Sequence, residues 1–405
     1  MPTGKRVVRN VSVGLVLDLL RNEGPTSQAS IARKTGLSPA TVNNIIQLLR
    51  KDGIADFQWI NGREALVSLI STKGVMMSVM VSADFIHGAV FCFEQQERHD
   101  LLVCADGATD YQSSPATLIK FIEELAARAK IPVSSLSGIS VCIQAPVDKK
   151  NDEIAHWSAG RMTGWKDIPI KTTLESLLKV SVHVNNDANL ATYAEWTWGA
   201  GRGVDCFLYL SCSRQIGSGL IIDGKVHTGS NGMAGELGHL VIDKAGPVCF
   251  CGSRGCLTTL VSERAILRIL EGSENAKSSL AEVITSAKQG DVACQRVLYE
   301  TGHHIGQALA NTAKIVAPGI IAIGGELGGA WEFIKDSLHV ATEENNLDNV
   351  SPGIKFVPGL LIKDAVLLGG IASLLSISGQ GISELPGWMT YESHHSSTAQ
   401  LITDL

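Results

Sequence analysis

The chain has 405 residues, 45% of them hydrophobic, with 41 glycines and a formal net charge of −6. This length exceeds one ordinary hydrophobic core, so two or three domains are expected, and the composition is typical of an α/β protein. Nine cysteines, an odd number, exclude a complete disulfide framework, and no apolar run reaches the roughly 18 residues of a membrane span. We therefore expect a reduced, cytoplasmic protein without membrane insertion.

The charge is unevenly distributed along the chain. Residues 1–72 carry 9 Lys or Arg against 5 Asp or Glu, whereas residues 73–405 carry 25 against 35. An acidic protein with a basic N-terminal region is expected to bind an anionic partner through that region alone.

The basic N-terminal region has the pattern of a helix-turn-helix. Residues 11–22 place apolar side chains at helical spacing, and a second, short helix is predicted over 27–36. A third helix follows, with Ser38 as its N-cap and Pro39 at its first position. In a helix-turn-helix the second helix of the pair enters the major groove, so DNA is the predicted partner. The alternative is a helical oligomerisation domain with a solvated basic face.

The apolar positions of the third helix are used in packing, which leaves its polar side chains for DNA. Amide side chains suit bidentate contacts with adenine, and cationic ones reach phosphates. The predicted base-facing residues are Thr41, Asn43, Asn44 and Gln47. The predicted phosphate contacts are Arg33, Lys34, Arg50 and Lys51, together with Arg63 beside a two-stranded wing whose hairpin turn is Asn61-Gly62.

A change to Val-, Ile- and Gly-rich composition at residues 71–74 marks a domain boundary. Beyond it, strand and helix signals alternate, which predicts a largely parallel or mixed sheet with its functional edge at the carboxyl ends of the strands. The predicted elements are a hairpin at 75–93, a helix at 116–129, strands at 136–148 and 180–187, a helix at 188–201, a hairpin at 206–226, a mainly helical segment at 262–317, a strand at 319–327, a further apolar segment at 350–361 and a helix from 365.

The stretch from Asn231 to Cys256 has the composition of a metal site. Cys249, Cys251 and Cys256 fall within eight residues of a Gly-rich loop, and His239 precedes the first of them by ten residues. Three thiolates and one imidazole complete the tetrahedron of a structural zinc ion and leave no open position. The alternative is that these are three buried free cysteines and a histidine satisfied within the core.

Several motifs together resemble the ROK proteins (repressors, open reading frames, sugar kinases), in particular the repressor branch with an N-terminal winged helix. The motifs are GELGH and CFCGSRGC around the cysteines, VNNDAN at 184–189, GAGRG at 199–203, APVD at 145–148 and MTGWKDIP at 162–169. The resemblance implies an α/β fold in which a winged helix-turn-helix precedes an actin-like, ribonuclease H-like core of two lobes with a sugar cleft between them. It also implies one structural zinc ion per chain, held by His239, Cys249, Cys251 and Cys256.

The resemblance also predicts the domain boundaries. The winged helix-turn-helix is expected over 1–72 and the first lobe over 73–185, completed by a C-terminal helix around 365–380. The second lobe, with the zinc site, is expected over 186–364. Residues 380–405 show no clear periodicity and are interpreted as a surface tail.

Two phosphate loops of the family's kinases are altered in this chain. The first hairpin reads Asp84-Phe85-Ile86-His87-Gly88 where the kinases have D-x-G-G-T, and Ser213-Arg214-Gln215-Ile216-Gly217 replaces G-T-G-x-G. A phosphate cradle needs backbone N–H groups that only glycine lets a ligand approach closely. The chain is therefore expected not to be an enzyme, and Asp187, which corresponds to the base of the kinases, is expected to contact a ligand instead.

The resemblance assigns the sugar contacts to Asn186, Asp187, Glu236 and His239. The family's Glu after the last zinc ligand is Thr258 here, and the Asn before the MTGW motif is Arg161. The Thr258 hydroxyl lacks the bidentate grip of a carboxylate, and Arg161 favours an anionic ligand such as a sugar phosphate. Alternatively, Arg161 is a surface or salt-bridge residue.

These features predict a DNA-binding transcriptional repressor of carbohydrate genes. A homodimer or homotetramer would place two winged helices on the half-sites of a pseudo-palindromic operator, and a sugar or sugar-phosphate inducer in the cleft would release them. One alternative is a sugar kinase that has acquired a DNA-binding arm. Another is a core that binds a protein, such as a sugar-transport subunit, instead of a sugar.

Overall fold

The computed structural model describes residues 4–51, 55–60, 64–69, 72–104, 113–148, 150–155, 158, 162–272, 276–345, 349, 352–382 and 384–391. The chain forms two compact units. One combines Met1–Met76, Phe91–Arg98 and Ala372–Leu405, and the other combines Met77–Val90 and His99–Ile371. No helix in the described part of the chain is long and apolar enough to cross a membrane.

Three helices and a small sheet begin the first unit. The helices are α1 (Gly4–Glu23), α2 (Gln28–Thr35) and α3 (Pro39–Lys51), and the strands are β1 (Thr26–Ser27), β2 (Ala55–Ile60) and β3 (Glu64–Leu69). The sheet is antiparallel in the order β1-β3-β2. Helix, turn, helix and two strands follow one another as predicted, and the Asn61-Gly62 turn lies outside the described residues.

Local capping sets the two helices of the helix-turn-helix. The Ser27 hydroxyl accepts a hydrogen bond from Ser30 N at 3.3 Å, and α2 is followed by Gly36 in the left-handed conformation. The Ser38 hydroxyl accepts a hydrogen bond from Thr41 N at 3.1 Å, as predicted for this cap. The apolar faces of the helices meet in a core that includes Val16, Leu20, Ile31, Val42, Ile46, Leu49 and Val67.

A first five-stranded sheet contains β4 (Val75–Val81), β5 (Phe85–Cys92), β6 (Glu97–Cys104), β7 (Gly138–Ile143) and β10 (Val182–Asn186), in the order β10-β7-β4-β5-β6. Strands β7 and β10 are parallel. The sequence predicts the β4–β5 hairpin but not β6, because this edge strand begins with the polar run Glu97–Asp100. The helices α4 (Pro115–Arg128) and α5 (Ile170–Leu178) and the short pair β8 (Val147–Asp148) and β9 (Glu153–Ile154) complete this region.

A second five-stranded sheet contains β11 (Phe207–Cys212), β12 (Ile216–Ile222), β13 (Lys225–Val226), β14 (Ile320–Gly324) and β15 (Lys355–Pro358), in the order β13-β12-β11-β14-β15. Strand β11 is antiparallel to β12 and parallel to β14, which is parallel to β15. The remaining helices are α6 (Asp187–Trp198), α7 (Thr258–Val261), α8 (Glu263–Leu270), α9 (Leu280–Lys288), α10 (Val292–Val316), α11 (Trp331–Glu344) and α12 (Ala365–Ile377).

Helices α10 and α11 of the second unit pack closely together at a glycine. A Cβ atom on Gly306 of α10 would lie 2.6 Å from the carbonyl oxygen of Leu338 in α11. The absence of a side chain therefore lets the two backbones approach. The sequence predicts α10 but not α11.

The interpretation of residues 380–405 as a surface tail is wrong for residues 384–391. Met389 is fully buried, and the ring of Trp388 packs edge-on against that of Phe93, with centroids 5.6 Å apart. The Arg98 guanidinium, itself buried, donates a hydrogen bond from Nη1 to Met389 O at 2.6 Å and lies 5.3 Å from the centre of the Phe91 ring. This segment is therefore part of the first unit, and residues 392–405 lie outside the described residues.

Replacement of the buried Met389 by alanine is expected to destabilise the first unit. The Met389→Ala substitution removes a fully buried side chain, and such truncations cost about 2–5 kcal/mol in the free energy of unfolding. Denaturant unfolding followed by tryptophan fluorescence measures the change. Glu384→Ala, at an exposed position of the same segment, is the control. Equal midpoints for the two variants would show that the segment does not stabilise the unit.

Candidate functional sites

The carboxyl end of β10 places two polar side chains at the start of α6. Asn186 lies opposite Ile143 of the parallel strand β7. It caps α6, because its Oδ1 accepts a hydrogen bond from Asn189 N at 3.1 Å. Its Nδ2 donates to Ala145 O and to Asp187 Oδ1, both at 3.1 Å. These bonds fix the Asp187 carboxyl in the first turn of the helix.

A second carboxyl, that of Glu236, interacts with Asp187. Burial raises the pKa of Asp187 to about 7, although hydrogen bonds to Ala188 N and Asn186 oppose the rise. Burial, and after it the negative charge of Asp187, raises the pKa of Glu236 to about 7. At neutral pH the pair is therefore partly protonated, so that it can both donate and accept hydrogen bonds. That combination suits a ligand rich in hydroxyl groups.

Glycines on both sides hold Glu236 in place. Gly235 has a φ of +93°, and its carbonyl oxygen accepts a hydrogen bond from the Ser218 hydroxyl of β12. A Cβ atom on Gly238 would lie 2.7 Å from the carbonyl oxygen of Ile216, so a larger residue would displace the strand. The GELGH segment therefore packs closely against β12.

The histidine and the three cysteines come together as predicted. Candidate ligand atoms of His239, Cys249, Cys251 and Cys256 all lie within 4.8 Å of one another. His239 Nδ1 is 3.5 Å from Cys249 Sγ, and the sulfur atoms of Cys251 and Cys256 are 3.7 Å apart. Ligands bound at about 2.3 Å to a tetrahedral ion are separated by about 3.8 Å. The cluster therefore has the dimensions of a metal site, which favours this interpretation over four unrelated core residues.

We call residues 239–256 the knuckle, and its fold depends on glycine at one position. Gly255 has a φ of +67°, and a Cβ atom there would collide with the carbonyl group of Asp243. Directly after the knuckle, Leu257 N donates to Leu240 O at 2.8 Å. Half-buried Thr258 then begins α7. Thr258 therefore directly follows the His–Cys cluster, whereas Arg161 lies outside the described residues.

Ser82 forms hydrogen bonds with the first altered phosphate loop, and Arg214 of the second loop contacts residues outside that loop. The Ser82 hydroxyl accepts hydrogen bonds from the N–H groups of Asp84 and Phe85 at 3.1 and 2.9 Å. The Arg214 guanidinium lies 5.9 Å from the centre of the Phe85 ring, and Arg214 Nε lies 3.8 Å from Glu263 Oε2. Two amides of the first altered loop are thus already hydrogen-bonded within the chain, and Arg214 of the second loop lies beside Phe85 of the first. The sequence does not predict this contact, because no local pattern links Arg214 to Phe85.

The GAGRG motif surrounds a buried carboxylate whose role the sequence does not reveal. Glu195 is fully buried; its Oε2 accepts a hydrogen bond from Ala200 N at 2.9 Å, and its Oε1 accepts one from Leu361 N at 2.7 Å. A side chain on Gly199 would collide with the Glu195 carboxylate. The motif therefore joins the end of α6 to the segment that follows β15.

The polar face of α3 is exposed, as DNA binding requires. Asn43, Asn44 and Gln47 are exposed, whereas Thr41 is half-buried and its hydroxyl lies 2.8 Å from that of Ser38. Three of the four predicted base-facing residues are therefore presented to solvent, and Thr41 contributes to the cap of the helix.

The predicted phosphate contacts of the helix-turn-helix differ in their surroundings. Arg33 is exposed. Lys34 Nζ lies 2.6 Å from Glu23 Oε2 in an ion pair. The side chains of Lys51 and Arg63 lie outside the described residues.

Arg50 joins α3 to the wing. Its Nε lies 3.0 Å from Asp56 Oδ1, and its guanidinium lies 4.6 Å from the centre of the Phe57 ring. Both partners are near the beginning of β2. These contacts fix the end of α3 against the hairpin.

Comparison with known proteins agrees with this architecture. The model of the ROK family matches residues 79–372, and a winged helix-turn-helix DNA-binding model matches residues 14–55. The xylose repressor of Bacillus spizizenii is 27% identical over 371 residues, which cover 89% of this chain and 94% of that protein. A glucokinase of Halalkalibacterium halodurans is 35% identical over 222 residues, 51% of this chain and 67% of that protein.

A solved structure shares the fold. The crystal structure of a ROK family transcriptional regulator, a homologue of the Escherichia coli Mlc protein, superposes with a TM-score of 0.75 at 22% identity and covers 92% of this chain and 96% of that one. The predicted fold class is thereby confirmed: a winged helix-turn-helix precedes an actin-like α/β core.

The carboxyl pair is expected to make stability depend on pH. Because the pKa values of Asp187 and Glu236 are raised to about 7 in the native state, the native chain holds protons that the unfolded chain releases from about pH 4. Their contribution to stability is therefore present at low pH and is lost as the pH rises towards 7.

The variant Asp187→Asn/Glu236→Gln should lose less stability than the wild type between pH 5.5 and 8. We expect the difference in melting midpoint between these pH values to shrink by roughly 8–16 °C, measured by scanning fluorimetry. Glu123→Gln, at an exposed position of α4, is the control. Parallel curves for wild type and double variant would contradict the assigned pKa values.

Proposed function

This chain belongs to the ROK family, and on that basis we propose that it is a DNA-binding transcriptional repressor of carbohydrate uptake or metabolism genes. One observation carries the proposal: a helix with an exposed polar face accompanies a core that keeps the carboxyl pair but has altered residues in both phosphate-loop motifs. The match to a xylose repressor over most of both chains supports it. A regulator of this kind works in the cytoplasm, where it meets DNA.

The ligand of the core is a sugar or a sugar phosphate. Asn186, Asp187 and Glu236 supply its hydroxyl contacts, and the partly protonated carboxyl pair favours a neutral ring at that position. His239 adds a contact through the ring nitrogen that faces away from the cysteines. Thr258 replaces a carboxylate by a hydroxyl, which weakens the grip on two adjacent sugar hydroxyls. Arg161 provides the charge for a phosphate group.

The knuckle holds one structural zinc ion per chain. The distances between the thiol and imidazole groups fit a tetrahedral ion. The four side chains would fill every position of a tetrahedral ion, so zinc would supply a crosslink and no chemistry. It stabilises the loop on which Glu236 and Thr258 are placed.

The repressor binds its operator as a homodimer or homotetramer. Two winged helices then contact two half-sites of a pseudo-palindrome through Asn43, Asn44 and Gln47. A ligand at the carboxyl pair stabilises an arrangement that no longer fits the half-sites. Inducer and operator therefore bind to different states of the same protein.

Operator binding and its release by a sugar test the proposal directly. The full chain is titrated against a labelled duplex from the region upstream of its own gene, and a Kd of about 10 nM or tighter is expected at moderate salt. Gln47→Ala is expected to weaken this binding by about 1–3 kcal/mol but not binding to an unrelated duplex. Gln289→Ala, at an exposed position far from α3 in sequence, is the matched control.

The same preparation is screened by thermal shift against sugars and sugar phosphates. A compound that raises the melting midpoint is expected to release the duplex, and Asp187→Ala should abolish both effects while DNA binding persists. Absence of DNA binding by the wild type would refute the repressor. ATP-dependent phosphorylation of a sugar, lost in Asp187→Ala, would instead show a kinase.

A core that binds a protein, such as a sugar-transport subunit, is the second candidate. The knuckle displays an apolar surface, with Val241, Val248 and Phe250 each at least 48% exposed, and Thr258 weakens the sugar site. If no compound of the panel binds while the operator is bound tightly, this candidate replaces direct induction by a sugar.

Removal of one thiolate is expected to release the metal. Elemental analysis should find one zinc per wild-type chain and none in Cys251→Ser, whose melting midpoint should fall by several degrees. Cys206→Ser is the control, because Cys206 is also half-buried and its thiol donates a hydrogen bond to Val316 O, outside the cluster. Retention of zinc by Cys251→Ser would rule out the four-ligand site.

A further inference from the structure

Residues 72–74, which we call the linker, follow the winged helix-turn-helix and precede β4. Gly74 has a φ of +94°, a conformation that residues with a side chain rarely adopt. The chain therefore changes direction at this glycine. Without further contacts, so permissive a residue would let the winged helix-turn-helix turn freely about the linker.

Hydrogen bonds on consecutive residues hold the linker. Gly74 N donates to both carboxylate oxygens of Glu94, at 2.9 and 3.0 Å, and Gly74 O accepts a hydrogen bond from Phe93 N at 3.2 Å. Lys73 N donates to Gln380 Oε1 at 3.1 Å. The linker is thus bonded to two segments that are distant from each other in sequence, the turn between β5 and β6 and the stretch that follows α12.

The two segments that hold the linker are themselves packed together. The buried ring of Phe93 lies against that of Trp388, with centroids 5.6 Å apart. At the other end of the turn, Arg98 donates a hydrogen bond to Met389 O. The partners of the linker therefore belong to one folded support in the first unit, and the β5–β6 turn continues along the chain into the strands of the core sheet.

Glu94 differs from the other members of this support because it is exposed. Its side chain contributes little to the packing of the first unit, whereas its carboxylate makes the charge-assisted hydrogen bonds that are stronger than neutral ones. Removal of the carboxylate therefore frees Gly74 N and leaves the aromatic packing of the support in place.

We propose that Glu94 is a positioning residue for operator binding: it fixes the direction in which the winged helix-turn-helix leaves the β5–β6 turn, and thereby sets the half-site spacing that the repressor accepts. This inference rests on the proposed binding of two winged helices to one operator and adds the determinant of its spacing. Modules that are oriented in advance avoid the cost of ordering them on binding. They also bind the second half-site effectively only where the geometry allows both to be engaged.

Duplexes with different half-site arrangements separate the direction of the winged helix from its contacts with bases. Footprinting of the full chain on the duplex upstream of its gene first defines the half-sites. Affinity is then measured for a single half-site, for the pair at native spacing, and for pairs with base pairs inserted between them. We expect Glu94→Ala to bind the native pair roughly tenfold more weakly, to bind the single half-site as the wild type does, and to lose the preference for native spacing.

Two further variants show whether the hydrogen bond is responsible. Glu94→Gln keeps an acceptor oxygen and should stay within about threefold of the wild type on the native pair. Gln95→Ala, at an exposed position of the same turn, is the matched control and should match the wild type on every duplex. The melting midpoint of Glu94→Ala should stay close to that of the wild type, because the side chain is exposed.

An unchanged spacing preference in Glu94→Ala overturns the inference while leaving the repressor intact. Equal weakening on the single half-site and on the pair also overturns it, because Glu94 would then act on the winged helix itself. So does a change of oligomeric state in Glu94→Ala, seen by sedimentation. Failure of the wild type to bind the upstream duplex refutes the proposed function itself.

Discussion

Four ligand atoms from His239, Cys249, Cys251 and Cys256 meet within 4.8 Å, and the second unit depends on this constraint. The segment between β13 and α7 has little regular structure, so its ordering costs conformational entropy without a ladder of hydrogen bonds to offset it. A metal ion that joined its two halves, as proposed above, would compensate for that deficit. Glu236 stands three residues before the cluster and Thr258 two residues after it, so the proposed crosslink would position both residues.

The carboxyl pair is compatible with the proposal that the core recognises a ligand without transferring phosphate to it. Phosphate transfer needs amides that hold the anion in place, and Ser82 and Phe85 now occupy that region of the fold. Recognition of hydroxyl groups needs only acceptors and donors at fixed positions. Asp187 remains held by Asn186, and its raised pKa lets it serve in either role. On the proposed function, ligand recognition and phosphate transfer depend on different residues of the core.

Elements with local signals could be predicted from the sequence, and elements defined by distant contacts could not. Ser38 and Pro39 predict α3. The spacing of the three cysteines and His239 predicts the candidate metal site. By contrast, β6 begins with polar residues, so the sequence does not predict this edge strand. Arg98 donates a hydrogen bond to the carbonyl group of Met389, and Arg214 lies beside Phe85, so each contact joins residues that only the folded chain brings together. Such pairs leave no periodic trace in the sequence.

Ion pairs within the winged domain reduce the contribution of its positive charge to DNA binding. Lys34 and Arg50 are paired with Glu23 and Asp56 at the surface, and exposed pairs of this kind contribute only about 0–1 kcal/mol. A DNA phosphate can therefore replace the carboxylate at little cost, but the exchange leaves an acidic side chain near the duplex. The net electrostatic gain is smaller than the number of cations implies. On the proposed binding mode, discrimination between sequences consequently falls to the exposed amide side chains of α3.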